Sequence, residues 1–270
     1  MAAKRGSSES RSSWLPFGAD PDARIRLVCF PHAGAGASVY RFWGKGLPAE
    51  IAVCPVQPPG REKRRGEPPV LVCRDLVAQA APDILARVSP PYALFGNSAG
   101  AVCAFELARE IRRLGGPDPT HLIVAARSAP HLPTVDSRLA ELSASGLRAF
   151  LRRLGGTPPE LLIDDDFLDM LRPLITADLT MSDTYEYVPE APLGVPITAL
   201  AGRHDEIVSL SQTAAWEEHT TGEFTMHTLD GGHSVVMECE DEARSRIADA
   251  LVGHGHRVLE PQLGGTRAGK

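Results

Sequence analysis

Apolar residues along this chain fall into short runs separated by longer amphipathic stretches. The runs Arg26–Phe30, Ile51–Gln57, Tyr92–Phe95, Leu122–Ala126, Ile197–Ala201 and Phe224–Leu229 are too short for helices and read as strands, most of them buried on both faces. Between them, Arg74–Val88 places Leu76, Val77, Ala80 and Ile84 on one helical face. Gly100–Leu114 does the same with Val102, Phe105, Leu107 and Ile111, then meets a stop signal at Gly115-Gly116. Ser209–His219 and Glu240–Leu251 are predicted as later helices. Strands alternating with helices predict an α/β fold whose mostly parallel central sheet is flanked by helices on both faces.

One stretch breaks the alternation. Residues 131–192 contain no strand pattern, only the helix-like pieces Asp136–Ser143, Ser145–Leu154, Asp165–Leu174 and Ala177–Tyr187. That is too long for one crossover, so it is predicted as an inserted helical lid over the carboxyl edge of the sheet, where open α/β folds bind ligands. The core is then 23–130 and 193–260. Residues 1–22, rich in Ser, Arg and Ala, are expected to form a flexible arm with Trp14 and Leu15 available to dock, and 261–270 a flexible tail.

Charge and composition narrow the function classes. A net charge of -6 lacks the basic surface a general nucleic-acid binder needs, and no apolar stretch is long enough for a membrane span. The basic N-terminus has no apolar run behind it and so is not read as a signal peptide, which leaves a cytoplasmic setting. Five scattered cysteines, an odd number without paired spacing, predict reduced, buried thiols rather than disulfides or a zinc site. The nine histidines show no recurrent metal-ligand spacing, so no metal is expected.

The chemistry begins at Gly96-Asn97-Ser98-Ala99-Gly100, which follows an apolar strand and opens an amphipathic helix. A Gly-x-Ser-x-Gly in that context predicts a nucleophile elbow, a tight turn that lifts the Ser98 hydroxyl above the sheet edge. Serine needs a base, and in this arrangement the acid and then the histidine follow it along the chain. His233, in the Asp230-Gly231-Gly232-His233 loop after the last predicted strand, is the predicted base. Asp205, in the loop after Ile197–Ala201, is the predicted acid, with Glu206 as its near competitor and Asp230 assigned to shaping the histidine's turn. The oxyanion hole is expected from the N–H groups of Ala99 and of Ala33, the latter in the small-residue loop Pro31-His32-Ala33-Gly34-Ala35-Gly36. His32, Gly34 and Asn97 flank these donors and are expected to contact substrate. A dinucleotide loop is the weaker reading there, since the third glycine of that fingerprint is missing.

Taken in order, Phe30-Pro31-His32-Ala33-Gly34, Pro59-Gly60-Arg61-Glu62, the serine motif, the lid, Asp205 and Gly232-His233 resemble the type II thioesterases of polyketide synthases and nonribosomal peptide synthetases. The resemblance runs from Trp14 to the last helix and implies the α/β-hydrolase fold. It also implies a substrate carried on the phosphopantetheine arm of acyl or peptidyl carrier protein domains, an editing hydrolysis, and no cofactor of the enzyme's own. Three positions depart from the pattern: Asn97 and Ala99 replace the His and Met that usually flank the serine, and Glu206 follows the aspartate where proline is common. Ala99 is expected to widen the acyl pocket. Carrier docking by an acidic chain needs a local basic patch, for which Arg61, Lys63, Arg64 and Arg65 are the first candidates, and Arg109, Arg112 and Arg113 a second set. A monomer is expected. A releasing or cyclising thioesterase or acyltransferase, a general carboxylesterase and a non-catalytic carrier-binding module are the competing functions.

Overall fold

The structure is a computed structural model that describes residues 13–20, 22–133 and 143–258. Six strands form one wholly parallel sheet: β1 (Ile25–Phe30), β2 (Ile51–Pro55), β3 (Tyr92–Asn97), β4 (Leu122–Ala125), β5 (Ile197–Gly202) and β6 (Phe224–Leu229), in the order β2-β1-β3-β4-β5-β6. Every residue of β1, β3, β4 and β5 is buried, which is why these strands read as continuous apolar runs rather than alternating ones. Successive side chains still go to opposite faces. Val28 and Phe30 join the core packed under α1 (Cys73–Arg87) and α2 (Ala99–Arg113), whereas Leu27 and Cys29 join that of Tyr40, Trp43 and α8 (Glu240–Val258). At the end of α2, Gly115 at φ 67° supplies the predicted stop, and the Gly116 N–H closes on the Ile111 carbonyl at 2.9 Å.

The chain runs from β1 outward to β2, then crosses back over β1 to β3. Strand order therefore reverses between β1 and β3, and the crevice beyond their carboxyl ends is the topological switch point where α/β sheets take ligands. Over this edge lie α3 (Ala144–Leu154), α4 (Pro159–Leu162) and α5 (Asp165–Asp183), joined by an apolar cluster of their own that includes Leu147, Leu151, Leu168 and Leu179.

Several expectations change. The predicted break between Asp165–Leu174 and Ala177–Tyr187 does not occur: α5 runs unbroken through Pro173, held by the burial of Leu168, Ile175 and Leu179 against the lost backbone bond of the proline. Ser209–His219 is α6 (Leu210–Ala214) followed by a tighter turn, Ala215–His219, that buries Trp216 and His219. Trp14 and Leu15, the two residues of the expected arm singled out as available to dock, do so and are buried in the core. The piece predicted over Asp136–Ser143 lies outside the described residues apart from Ser143, the N-cap of α3. The remaining helices are α7 (Val235–Glu238) and α8. Among the described residues the cysteines are all free, no helix is long and apolar enough to cross a membrane, and no cluster of His, Cys, Asp or Glu could hold a metal ion.

Candidate active site

The turn between β3 and α2 is built by its glycines. A Cβ on Gly100 would come within 2.5 Å of the Phe30 and Pro31 carbonyl oxygens, and one on Gly96 would collide with the backbone at Gly100 and Ala101. Ser98 between them adopts φ 53°, ψ -117°, a strained conformation for a non-glycine residue that costs about 1–3 kcal/mol. Such strain persists only where the surroundings enforce it, and here it aims a hydroxyl at the switch point.

Ser98 Oγ lies 2.9 Å from His233 Nε2, and His233 Nδ1 lies 2.9 Å from Asp205 Oδ2. Three loops, after β3, β5 and β6, thus place one side chain each. Gly202 lets the last two approach, since a Cβ there would collide with the Gly232 carbonyl. Asp205 Oδ1 accepts the Ile207 and Val208 N–H groups at 2.8 and 3.0 Å, leaving Oδ2 for the imidazole. Burial pushes the Asp205 carboxyl up, but the His233 ring and these backbone donors outweigh it and hold it below the usual carboxylate range. The ionised acid fixes the proton on Nδ1, so Nε2 is free to accept from Ser98. Glu206 is exposed, and Asp230 accepts instead from His204 Nε2 at 2.9 Å.

Ala33 and Ala99 both line the chamber beside Ser98, and neither N–H donates to another described residue. Two unpaired donors flanking a nucleophile are what a developing oxyanion requires. His32 and Asn97 also line the chamber, with His32 Nδ1 and Asn97 Oδ1 buried and without protein partners. Burial pushes the His32 imidazole down to about 4, against the pull of Asp178 and with the help of His233, so the ring is neutral near neutral pH. Gly34 borders the same space, but its N–H is already committed to Asp178 Oδ2 at 2.7 Å and is not available to substrate. The chamber has a volume of about 810 Å³, and α3 and α5 contribute apolar walls through Phe150, Leu171, Ile175 and Leu179.

The basic patch needs correction. Arg61 is 4% exposed and paired with Asp178, and Arg64 is 8% exposed, stacked on Trp14 and bonded to Glu67. Only Lys63 and Arg65 of that set are exposed. In the second set Arg109 is buried against Glu106, and Arg112 and Arg113 share Glu190. Sequence reasoning missed Asp178, on α5, and Gln57 and Glu62, which hold the Ala33 loop from behind. The one available signal was the Pro59-Gly60-Arg61-Glu62 segment, whose arginine was assigned to a basic docking patch.

Residues 25–254 match the family model for the thioesterase domain. Linear gramicidin dehydrogenase LgrE of Brevibacillus parabrevis is 39% identical over 88% of this chain and 92% of its own. Thioesterase PikA5 of Streptomyces venezuelae is 36% identical over 89% of this chain and 87% of its own. Among solved structures, the type II thioesterase BorB from the borrelidin biosynthetic cluster superposes with a TM-score of 0.81 at 38% identity, over 89% of this chain and 98% of its own.

Proposed function

The chain belongs to the thioesterase family, and we propose from that premise that it edits polyketide or nonribosomal peptide assembly by hydrolysing acyl groups from the phosphopantetheine arm of carrier protein domains. The observation that carries this reading is the Ser98–His233–Asp205 relay, 2.9 Å at each step, opening into a chamber partly walled by lid helices. The relay supports acyl transfer through an acyl-enzyme intermediate. His233 Nε2 takes the Ser98 proton as Oγ attacks the thioester carbonyl, and the Ala33 and Ala99 N–H groups stabilise the oxyanion. The tetrahedral intermediate collapses with cleavage of the C–S bond, and His233 returns the proton to the departing thiolate. Water, deprotonated by His233, then attacks the acyl-Ser98 ester; the tetrahedral intermediate collapses to the free acid as His233 returns the proton to Ser98 Oγ. No step draws on a cofactor of the enzyme's own. In this reading the enzyme works as a monomer in the cytoplasm.

The name of the Brevibacillus relative raises a redox alternative. A dinucleotide's pyrophosphate would need free N–H groups and open space at Gly34 and Gly36. Here the Gly34 N–H is bound to Asp178, and the Glu62 carboxylate fills the space where a Gly36 Cβ would lie. The geometry favours hydrolysis.

The test is release of free carrier, followed by intact-mass spectrometry, from acetyl-, propionyl- and longer acyl-carrier proteins. Turnover of several short acyl groups is the expected result. Hydrolysis of simple esters with no release from carriers would replace the reading with a general esterase, and lactone or amide products would replace it with a releasing enzyme.

Ala99 is 5% exposed at the chamber wall, so its side chain sets the space beside the acyl group. Ala99→Met is expected to shift preference toward shorter acyl chains, lowering kcat/KM for octanoyl relative to acetyl substrates by at least about tenfold, as even one methylene that an apolar pocket cannot accommodate is worth about 1–3 kcal/mol. An unchanged acetyl-to-octanoyl ratio would show that Ala99 does not limit the pocket.

A further inference from the structure

The chemistry above leaves the Gln57-Pro58-Pro59-Gly60-Arg61-Glu62 segment without a task, yet its polar side chains are buried or bonded. Arg61 forms a two-point pair with Asp178, Nη1 to Oδ2 at 2.5 Å and Nη2 to Oδ1 at 2.8 Å. Its Nη1 also donates to the Ala35 carbonyl at 3.1 Å and its Nε to the Pro59 carbonyl at 3.2 Å. Asp178 in turn accepts the Gly34 N–H. Gln57 Oε1 accepts the Ala37 N–H at 3.1 Å, and Glu62 Oε1 accepts the Ser38 N–H and hydroxyl at 3.1 and 2.7 Å. Four backbone groups directly after Ala33 are therefore held by side chains from elsewhere in the chain. Gly34 itself sits at φ 80°, and a Cβ there would press on Ile175 of α5 at 2.6 Å.

Two of those four anchors, at Gly34 and Ala35, converge on Asp178 and Arg61. Asp178 lies on the lid helix α5, one turn from the chamber-lining Ile175 and next to Leu179. A charged pair this buried keeps its geometry because an unpaired member would be left in an apolar site. Resting on the acyl-transfer reading above, we propose that Asp178 is a positioning residue: with Arg61 it ties the oxyanion loop to α5, so that the Ala33 N–H is aimed at the reacting carbonyl only while that lid helix is seated. Asp178 touches neither the nucleophile nor its base. It acts through Gly34, and its contribution falls on the transition state rather than on substrate binding.

The expected signature separates this from a purely structural role. Asp178→Asn should lower kcat for acyl-pantetheine thioesters by 10- to 100-fold with KM changed less than threefold. The affinity for an alkyl boronic acid, whose adduct with Ser98 places an anionic oxygen in the oxyanion hole, should fall by the same factor. The double variant Arg61→Gln/Asp178→Asn removes both charges and leaves an amide oxygen at position 178 able to accept from Gly34. It should regain part of the lost kcat and keeps the test open if the single variant folds poorly. Amide exchange at Gly34 should quicken in Asp178→Asn relative to wild type. Unchanged kcat, or a fall in kcat with boronate affinity intact, would overturn the proposal. Wild-type protein inert toward carrier-bound and small thioesters alike would instead refute the acyl-transfer reading, and slow Gly34 exchange unaltered by Asp178→Asn would then refute the tie as well.

Discussion

Ser98→Ala is expected to abolish covalent turnover while leaving the protein folded. The hydroxyl is the group bonded to His233 Nε2, at 2.9 Å. Loss of the nucleophile in the best-studied serine protease costs about 10⁶ in kcat, and the residual rate reflects what the oxyanion donors and binding supply alone. A fall of at least about 10⁴ is therefore expected here on any thioester the wild type accepts. Rapid quenching should give a wild-type species heavier by one acyl group, with the label on the peptide containing Ser98, and none in the variant. Stability should hardly move. Alanine at φ 53° bears the same backbone strain as serine, and the buried glycine contacts that enforce the turn are untouched. Substantial activity in Ser98→Ala would mean that water attacks directly, and the acyl-enzyme mechanism would have to be abandoned.

The elements that could be read from sequence share a physical property: their signal is local. Five of the six strands begin or end within two residues of the apolar runs, and Phe224–Leu229 coincides with its own; in β1, β3, β4 and β5 the reason is burial on both faces, which demands nearly unbroken apolar sequence. The serine turn was legible because backbone crowding requires glycine at 96 and 100, whatever lies around it. His233 followed from chain order, and Asp205 from the loop that succeeds β5. What remained hidden depends on partners distant along the chain. Arg61 sits in a run of basic residues that looks like solvated surface, and its charged partner Asp178, 117 residues later, turns it inward. Arg64 is likewise withdrawn by Trp14, a residue in the expected arm. Nothing local marks Asp178, since an aspartate in an amphipathic helix ordinarily faces water. The break predicted after Leu174 fails for the converse reason: α5 continues because Ile175 and Leu179 are buried by tertiary packing that no local pattern shows.

Asp205→Asn should be the most damaging change that leaves the nucleophile and base in place. The backbone already dictates how the new amide would sit: Ile207 and Val208 N–H groups need an acceptor, so the amide oxygen stays with them and its NH₂ turns toward His233. An N–H facing Nδ1 requires that nitrogen to be the acceptor, which moves the imidazole proton to Nε2. Nε2 would then donate to Ser98 and could not take its proton. The wild-type carboxylate does the reverse, and because His233 and the two backbone donors hold it below the usual carboxylate range, it remains ionised throughout the neutral range. A wrong tautomer of this kind costs about 10⁴ in kcat in another, chymotrypsin-like serine protease, and the same order is expected here, with KM little changed. Glu206→Gln and Asp230→Asn serve as controls. The first side chain is exposed and the second is engaged by His204, so both variants should retain activity within about threefold, as expected of surface positions. Combining Asp205→Asn with Ser98→Ala should cost no more than Ser98→Ala alone, because the three side chains act as one unit. Loss of less than tenfold in Asp205→Asn, together with a large loss in Glu206→Gln, would transfer the role of the acid to Glu206 and require the loop after β5 to rearrange during turnover.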